Sequence, residues 1–357
     1  LTPSEQAGAV PEGTDLAALS RVLGDWLGQP VTGALTMRLI TGGRSNPTYV
    51  ISAGDRSWVL RRPPYGFVLP TAHDMGREFR VLSALAGSKV PVPAVIGLCE
   101  DTSVIGAPFY VMERINGITL RTARETERIT ADERRALSEA IVDTLVTLHE
   151  VPIEAVGLSG WGRPRHYLAR QLARWRRQWE SSRTSPRPEV DELLTRLGRT
   201  LPVSTEFGIV HGDYKIDNLM VDPGARSRIL AVLDWEMSTL GDTLADIGIL
   251  ASFWDDPGEP PNPITAGATA LPGFLARHEV IELYAARRDV DPAAIDWYLV
   301  FADLKIAVIL EGIHSRYLQG HAVGAAFETV GAMVGTLLDR AVRRSHRLGR
   351  RTGNGGS

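Results

Sequence analysis

Apolar residues fall at 16, 19, 22, 23, 26 and 27 within Asp15–Leu27. That spacing follows the helical period and predicts a helix, with Thr14 placed to cap it. Three strand-like runs come next, Ala34–Ile40, Thr48–Ser52 and Trp58–Arg61, separated by the turn-rich TGGRSNP and by Ala-Gly-Asp-Arg. Strand, glycine turn, strand, tight turn, strand predicts an antiparallel meander. Arg62-Pro63-Pro64 ends it, because proline cannot donate to a ladder. Helical spacing returns over 72–86, with Met75, Phe79, Leu82 and Leu85 on one face, and Val95–Glu100 and Phe109–Glu113 predict two further strands.

Beyond 115 the pattern changes. Asp132–His149, Pro164–Glu180 and Pro188–Leu201 read as amphipathic helices. Phe207–Val210, Asn218–Val221 and Ile229–Leu233 are short apolar strands, and Thr243–Phe253 is a helix. Asp255–Gly273 is rich in Pro and Gly and predicts a loop. Helices over 274–287, 293–312 and 323–345 close the chain. A β-rich first third followed by a helical remainder indicates an α+β chain in two lobes. The expected organisation is a flexible start (1–13), an N-lobe (14–115), a C-lobe (116–347) and a disordered tail (348–357).

Composition narrows the class of partner. The 357 residues exceed what one ordinary core organises, and 44% hydrophobic content can bury real cores. With 39 basic against 42 acidic residues the formal net charge is −3, so neither nucleic acid nor a membrane surface is the expected partner. Cys99 is the single cysteine. It cannot form an internal disulfide, no Cys/His cluster has zinc spacing, and a reducing cytoplasm suits it. The first residues lack the basic and apolar regions of a secretory signal. A monomer or homodimer acting on a small molecule is expected.

Chemistry concentrates in His211-Gly-Asp213-Tyr-Lys215-Ile-Asp-Asn218 and in Val232-Leu-Asp234-Trp-Glu236. Phosphoryl transfer to a hydroxyl needs a carboxylate to orient and deprotonate the attacking oxygen. It needs oxygen ligands for Mg²⁺ and a cation for the charge gathering on the transferred group. HGDYKIDN supplies an Asp, a Lys two residues on and an Asn five residues on, between two strands, and Asp234 follows the next strand. The His, Asp and Asn fall in register with the kinase loop H-R-D-L-x-x-x-N, and Asp234 with D-F-G.

On these residues the chain resembles the aminoglycoside phosphotransferase and choline-kinase-like family, close to the branch also found fused to acyl-CoA dehydrogenase domains. The similarity runs over about 30–345. Gly42-Gly43-Arg-Ser45-Asn46 resembles the family's phosphate-covering loop, the helix carrying Glu78 its bracing helix, and Gly241-Asp242-Thr-Leu-Ala-Asp246 its G-D-P-x-x-D segment. The resemblance implies a bilobal protein-kinase-like fold and an ATP- and Mg²⁺-dependent phosphotransferase. Asp213 is then the base and Lys215 the contact to the transferred phosphoryl, with Asn218 and Asp234 as metal ligands. Gly43, Ser45, Asn46, Arg61 and Glu78 would serve the phosphates. Backbone groups of Glu113 and Ile115, at the inter-lobe hinge, would read the adenine edge. His211 and Asp246 would shape the catalytic loop. The third-strand lysine of this fold is Arg61 here, with Arg62 a rival one step along. That change leaves open a non-catalytic nucleotide-binding module.

The acceptor is less defined. A hydroxy acid or hydroxyacyl-CoA rivals an aminoglycoside. The helix HYLARQLARWRRQWE either packs Leu168, Leu172, Trp175 and Trp179 with its arginines in water, or turns Arg170, Arg174 or Arg177 to an acidic substrate. Asp255, Asp256 and Glu259 read first as a solvated acidic loop. Glu236 is a possible further metal or substrate contact, and Lys305, Glu311 and His314 lie on a helix of the kind that lines acceptor sites in this family.

Overall fold

In the computed structural model, the first helical pattern becomes α1 (Leu16–Leu27). Its cap is Asp15, not Thr14: the carboxylate accepts from the Ala17 and Ala18 N–H groups, each at 2.9 Å. A charged acceptor satisfies two orphan donors and suits the positive end of the helix. The structure describes residues 13–40, 46–64, 74–163, 165–258, 262, 264–320 and 330–348. The chain divides into two units, Leu1–Leu120 with Glu154–Leu158 and Ile216–Ser238, and Arg121–Ile153 with Ser159–Lys215 and Thr239–Ser357.

The first unit is built on a five-stranded antiparallel sheet. Its strands are β1 (Thr36–Leu39), β2 (Thr48–Ala53), β3 (Arg56–Arg61), β4 (Val95–Cys99) and β5 (Phe109–Glu113). Their order is β1-β2-β3-β5-β4. The meander β1–β3 follows from β-prone runs set close together along the chain. The helix α2 (Met75–Leu85) buries Met75, Glu78, Val81, Leu82 and Leu85. Leu19, Leu23, Ile51, Leu60, Phe109 and Val111 join in one core between α1 and the sheet. Gly97 of β4 is what lets α1 approach: a Cβ there would lie 2.1 Å from the Trp26 indole. A second, three-stranded sheet joins β6 (Ile118–Thr119), β8 (Leu219–Val221) and β9 (Ile229–Val232) in the order β6-β8-β9. The two-residue β6 carries no periodic signal of its own.

The second unit is mainly helical. It holds α3 (Ala123–Thr126), α4 (Ala131–His149), α5 (Tyr167–Ser182), α6 (Pro188–Arg199), α7 (Leu244–Phe253), α8 (Arg277–Arg288), α9 (Ile295–Leu318) and α10 (Val330–Ser345). Two short strands, β7 (Phe207–Val210) and β10 (Thr239–Asp242), pair antiparallel with Gly208 opposite Gly241. Every residue of α7 is buried, which is why its sequence is apolar all round. Gly248 sits against the Tyr298 backbone of α9, where a Cβ would come within 2.7 Å of the carbonyl oxygen. Asp255 is not the solvated loop residue expected: it is buried, accepting from the Asn262 N–H and from Thr265 Oγ1. Asp256 is tied to Arg277 at 2.9 Å, and Glu259 lies outside the described residues. No described helix is long and apolar enough to cross a membrane.

Candidate active site

The segment after β7 turns sharply at Gly212, whose φ of +84° is open to glycine and strained for other residues. Four backbone polar groups around that turn have partners. The Asp246 carboxylate, in the first turn of α7, accepts the His211 N–H at 2.6 Å and the Gly212 N–H at 2.8 Å. The Asp213 N–H donates to His211 Nδ1 at 3.2 Å. The Gly212 carbonyl accepts from Lys305 Nζ of α9. Asp213 is thus presented by a fixed backbone, and Lys215 Nζ donates to its carboxylate. Tyr214, fully buried, anchors the same loop through its hydroxyl on the Ile141 carbonyl at 2.8 Å.

Behind this loop lies a buried relay. His149, at the end of α4, places Nε2 at 3.3 Å from Asp246 and Nδ1 at 2.7 Å from the Tyr284 hydroxyl. Burial lowers the His149 pKa, outweighing the pull of Asp246. A neutral ring then donates to Asp246 and accepts from Tyr284. Burial pushes the Asp246 carboxyl up, but the hydrogen bonds it accepts from His149 and from the Gly212 N–H outweigh it and hold it below the ordinary carboxylate value. Burial lowers the Lys305 pKa to about 8, against the opposing pull of Asp213 and Asp246.

In the first unit, Arg61 at the end of β3 is the hub. Its Nε lies 3.2 Å from Glu78, one amino group donates to Asp234 at 2.8 Å, and Glu236 is 3.8 Å away. Arg62 faces elsewhere, donating to the Ile105 carbonyl at 3.1 Å, as the alternation of strand side chains requires. Tyr110 lies opposite Arg61 in the β3–β5 register and donates its hydroxyl to Glu78 at 2.9 Å. Asn46, expected at the phosphates, is buried and gives its amide hydrogens to Glu78 at 2.8 Å and Glu236 at 3.1 Å. Three carboxylates thus gather on one guanidinium. Burial opposes the Arg61 charge, but Glu78 and Asp234 outweigh it and raise its pKa well above the ordinary value. Burial raises the Glu78 carboxyl, with Asp234 adding like charge, more than Arg61 lowers it.

Asn218 and Asp234 sit at one end of the β8–β9 hairpin. Leu219 faces Val232, and the Leu233 N–H donates to the Asn218 carbonyl at 2.8 Å. Asp234 takes a left-handed conformation, φ 65° and ψ 67°, which turns the chain directly after the strand. Among the described residues no group of three or more His, Cys, Asp or Glu could hold a metal alone. The pair still fits Mg²⁺: an amide carbonyl and a carboxylate are hard oxygen donors. Mg²⁺ is commonly held by one or two protein ligands together with substrate phosphates and water. The excess of carboxylates over the Arg61 charge agrees with a site built for a dication.

The remaining expected residues are placed as follows. Gly43 and Ser45 lie outside the described residues. Glu113 ends β5 exposed, and its N–H donates to the Ala94 carbonyl at 2.8 Å. Ile115 is half-buried in the segment after β5. On α5, Leu168, Leu172, Trp175 and Trp179 are buried. Arg170 donates to the Arg163 and Arg165 carbonyls, and Arg177 is exposed. Glu311 accepts from the Thr184 hydroxyl at 2.8 Å and so ties α9 to the end of α5. The sequence reading missed Tyr110, His149 and Tyr284. Strand alternation opposite Arg61 could have flagged Tyr110; nothing local marks the other two.

Residues 36–290 match the model of the phosphotransferase enzyme family. Acyl-CoA dehydrogenase family member 10 of Mus musculus is 35% identical over 346 residues, 95% of this chain and 31% of that protein. The chain therefore spans under a third of that relative. The solved structure of a candidate aminoglycoside phosphotransferase from Ralstonia eutropha is 32% identical, with a TM-score of 0.76 over 92% of this chain and 98% of that one. At 16% identity, a thermostable mutant of the aminoglycoside phosphotransferase APH(4)-Ia, solved as a ternary complex with ADP and hygromycin B, shares the fold, with a TM-score of 0.58 over 95% of this chain and 100% of that one. The α+β architecture found here is accordingly the kinase-like one, and the chain belongs to the phosphotransferase enzyme family.

Proposed function

We propose that this chain is an ATP- and Mg²⁺-dependent small-molecule kinase that moves the γ-phosphoryl group of ATP to a hydroxyl of a small acceptor. The observation that carries this reading is Asp213, held on a turn whose backbone is tied to Asp246, His211 and Lys305, with Lys215 on its carboxylate. The acceptor proton passes to Asp213 as the acceptor oxygen bonds to the γ-phosphorus. The bond to the β-phosphate's bridging oxygen breaks, and ADP leaves. Lys215 shifts from Asp213 toward the transferred group, where charge collects. Arg61 offers a guanidinium to the phosphates while Glu78, Tyr110 and Asn46 hold the group around it. Asn218 and Asp234 would hold Mg²⁺, which when bound would neutralise phosphate charge. The ADP complex of the fold relative supports nucleotide use.

For the acceptor, a hydroxy acid or hydroxyacyl-CoA is favoured over an aminoglycoside. The acyl-CoA dehydrogenase name of the mouse relative supports this. So does the state of Asp255 and Asp256, which are engaged within the fold and are poor candidates for meeting a polycation. The test is ADP release from Mg-ATP across hydroxylated acids, acyl-CoAs and aminoglycosides. Asp213→Ala is expected to reduce transfer by roughly a hundredfold or more while Mg-ATP affinity stays nearly intact; wild-type turnover in that variant would show the base is misassigned. A second reading, a nucleotide-binding module without turnover, is favoured by one feature, the engagement of Arg61 by Asp234. Tight Mg-ATP binding with no turnover on any acceptor would establish it instead.

A further inference from the structure

We propose that Lys305, on α9, is a positioning residue for Asp213, gripping the carbonyl of the peptide unit that carries it. The Gly212–Asp213 peptide is fixed at both ends, its oxygen by Lys305 Nζ and its N–H by His211 Nδ1. The turn needs both constraints. Gly212 is the most permissive residue in the loop, and the Asp246 bonds hold only the N–H groups that precede this peptide. Without Lys305, rotation of that one peptide would swing the Asp213 carboxylate while leaving the rest of the loop in place.

The choice of a lysine points the same way. A carbonyl needs only a neutral donor, and a water or a hydroxyl would satisfy it. An ammonium buried to 7% exposure carries a desolvation cost instead. Its Nζ stands 5.7 Å from the Trp175 ring centroid of α5, a contact that favours a cation. Among the described residues no carboxylate lies within ion-pair distance of it. The charged groups acting on it are Asp213 and Lys215 of the loop, Asp246 of α7 and Arg174 of α5. On its own helix, Asp303 is taken by Arg340 and Arg344 of α10. Lys305 therefore places positive charge beside the loop at some cost to stability, the mark of a group kept for activity.

The inference rests on the kinase reading for its catalytic meaning, and the experiment separates the two. Amide hydrogen exchange of 211–214 is compared between wild type and Lys305→Met, with no nucleotide or acceptor present. Exchange at these amides is expected to rise by about tenfold or more while α9 is unchanged; equal exchange would overturn the proposal whatever the chain's activity. In parallel, ADP release from Mg-ATP with water as the acceptor is followed against pH. Lys305→Met is expected to be slower by about ten- to a hundredfold with the KM for ATP unchanged and a melting temperature at or above wild type. Wild-type activity is expected to fall above pH of about 8 as Lys305 loses its proton, and Lys305→Arg to extend that alkaline limb. A Lys305→Met protein that melts lower and loses ATP affinity in step with turnover would mark a merely structural lysine. A wild type that releases no ADP in water or with any acceptor would sink the kinase reading and leave the exchange result standing.

Discussion

Arg61 stands where this fold ordinarily has lysine, and the exchange matters bond by bond. An ammonium is a compact point charge, whereas the guanidinium reaches Glu78 through Nε and Asp234 through a terminal nitrogen at once. The Arg61–Glu78 contact lies where the family resemblance placed a bracing glutamate. The roles of Asn46 and Tyr110 were not legible, because Asn46 lies 32 residues before Glu78 and 190 before Glu236, distances at which no local pattern speaks. The same limit hid His149. Its buried neutral ring has a consequence for stability against pH. Its folded pKa is depressed, so above pH of about 6.5 the ring is neutral in both states and contributes no slope. As pH falls below that, the unfolded ring takes up a proton that the folded ring refuses, and stability drops. Asp246 has a depressed folded pKa too, so the stability it supplies is present above the unfolded carboxylate value and is lost as pH falls through its folded value. Urea unfolding between pH 7 and 5 is expected to show a smaller loss in His149→Gln, which can still donate to Asp246 but does not titrate. An identical slope would show that other groups set it.

At the level of elements, boundaries read from the sequence are sound wherever periodicity is strong. Phe109–Glu113 and Phe207–Val210 are strands over those same residues, and α4 fills the predicted helix with one extra residue at its start. The short elements went unread. β10 takes up the Gly-Asp start of the segment expected to run into α7, and β6 has two residues; such strands exist only because a partner supplies the ladder. Packing between elements was equally silent. Gly97 looks like an ordinary strand glycine, yet it makes room for Trp26. Gly97→Ala is expected to destabilise by about 1–3 kcal/mol, since the indole must shift out of a filled site. Equilibrium denaturation measures this, and a change within error would mean α1 moves freely against β4.

For the molecule as a whole, the chain changes unit between Lys215 and Ile216 and again between Ser238 and Thr239. The expected base and its lysine thus belong to one unit, the expected metal ligands to the other, though five residues separate Asp213 from Asn218 in sequence. Binding linkage makes nucleotide and metal binding measurable. Mg-ATP at a hundred times its Kd stabilises the folded state by about 2.7 kcal/mol, and the melting temperature is expected to rise accordingly. Adding a chelator should remove most of that rise, and Asp234→Asn should lose the Mg²⁺-dependent part while keeping a response to ATP alone. A variant that keeps the full Mg²⁺ increment would move the metal away from Asp234.

By itself the sequence determined the α+β class, the strong helices and strands, and a candidate catalytic stretch whose expected chemistry is written in residues two and five positions apart. Those features are local, set by backbone period, turn residues and short spacings. Only the tertiary structure decided that Asn46 serves carboxylates, that Asp255 is buried, and that Lys305, from a helix 93 residues along the chain, holds the peptide before Asp213. The reason is physical: burial and long-range hydrogen bonds depend on which surfaces meet, and the local pattern around each residue is the same before and after they do.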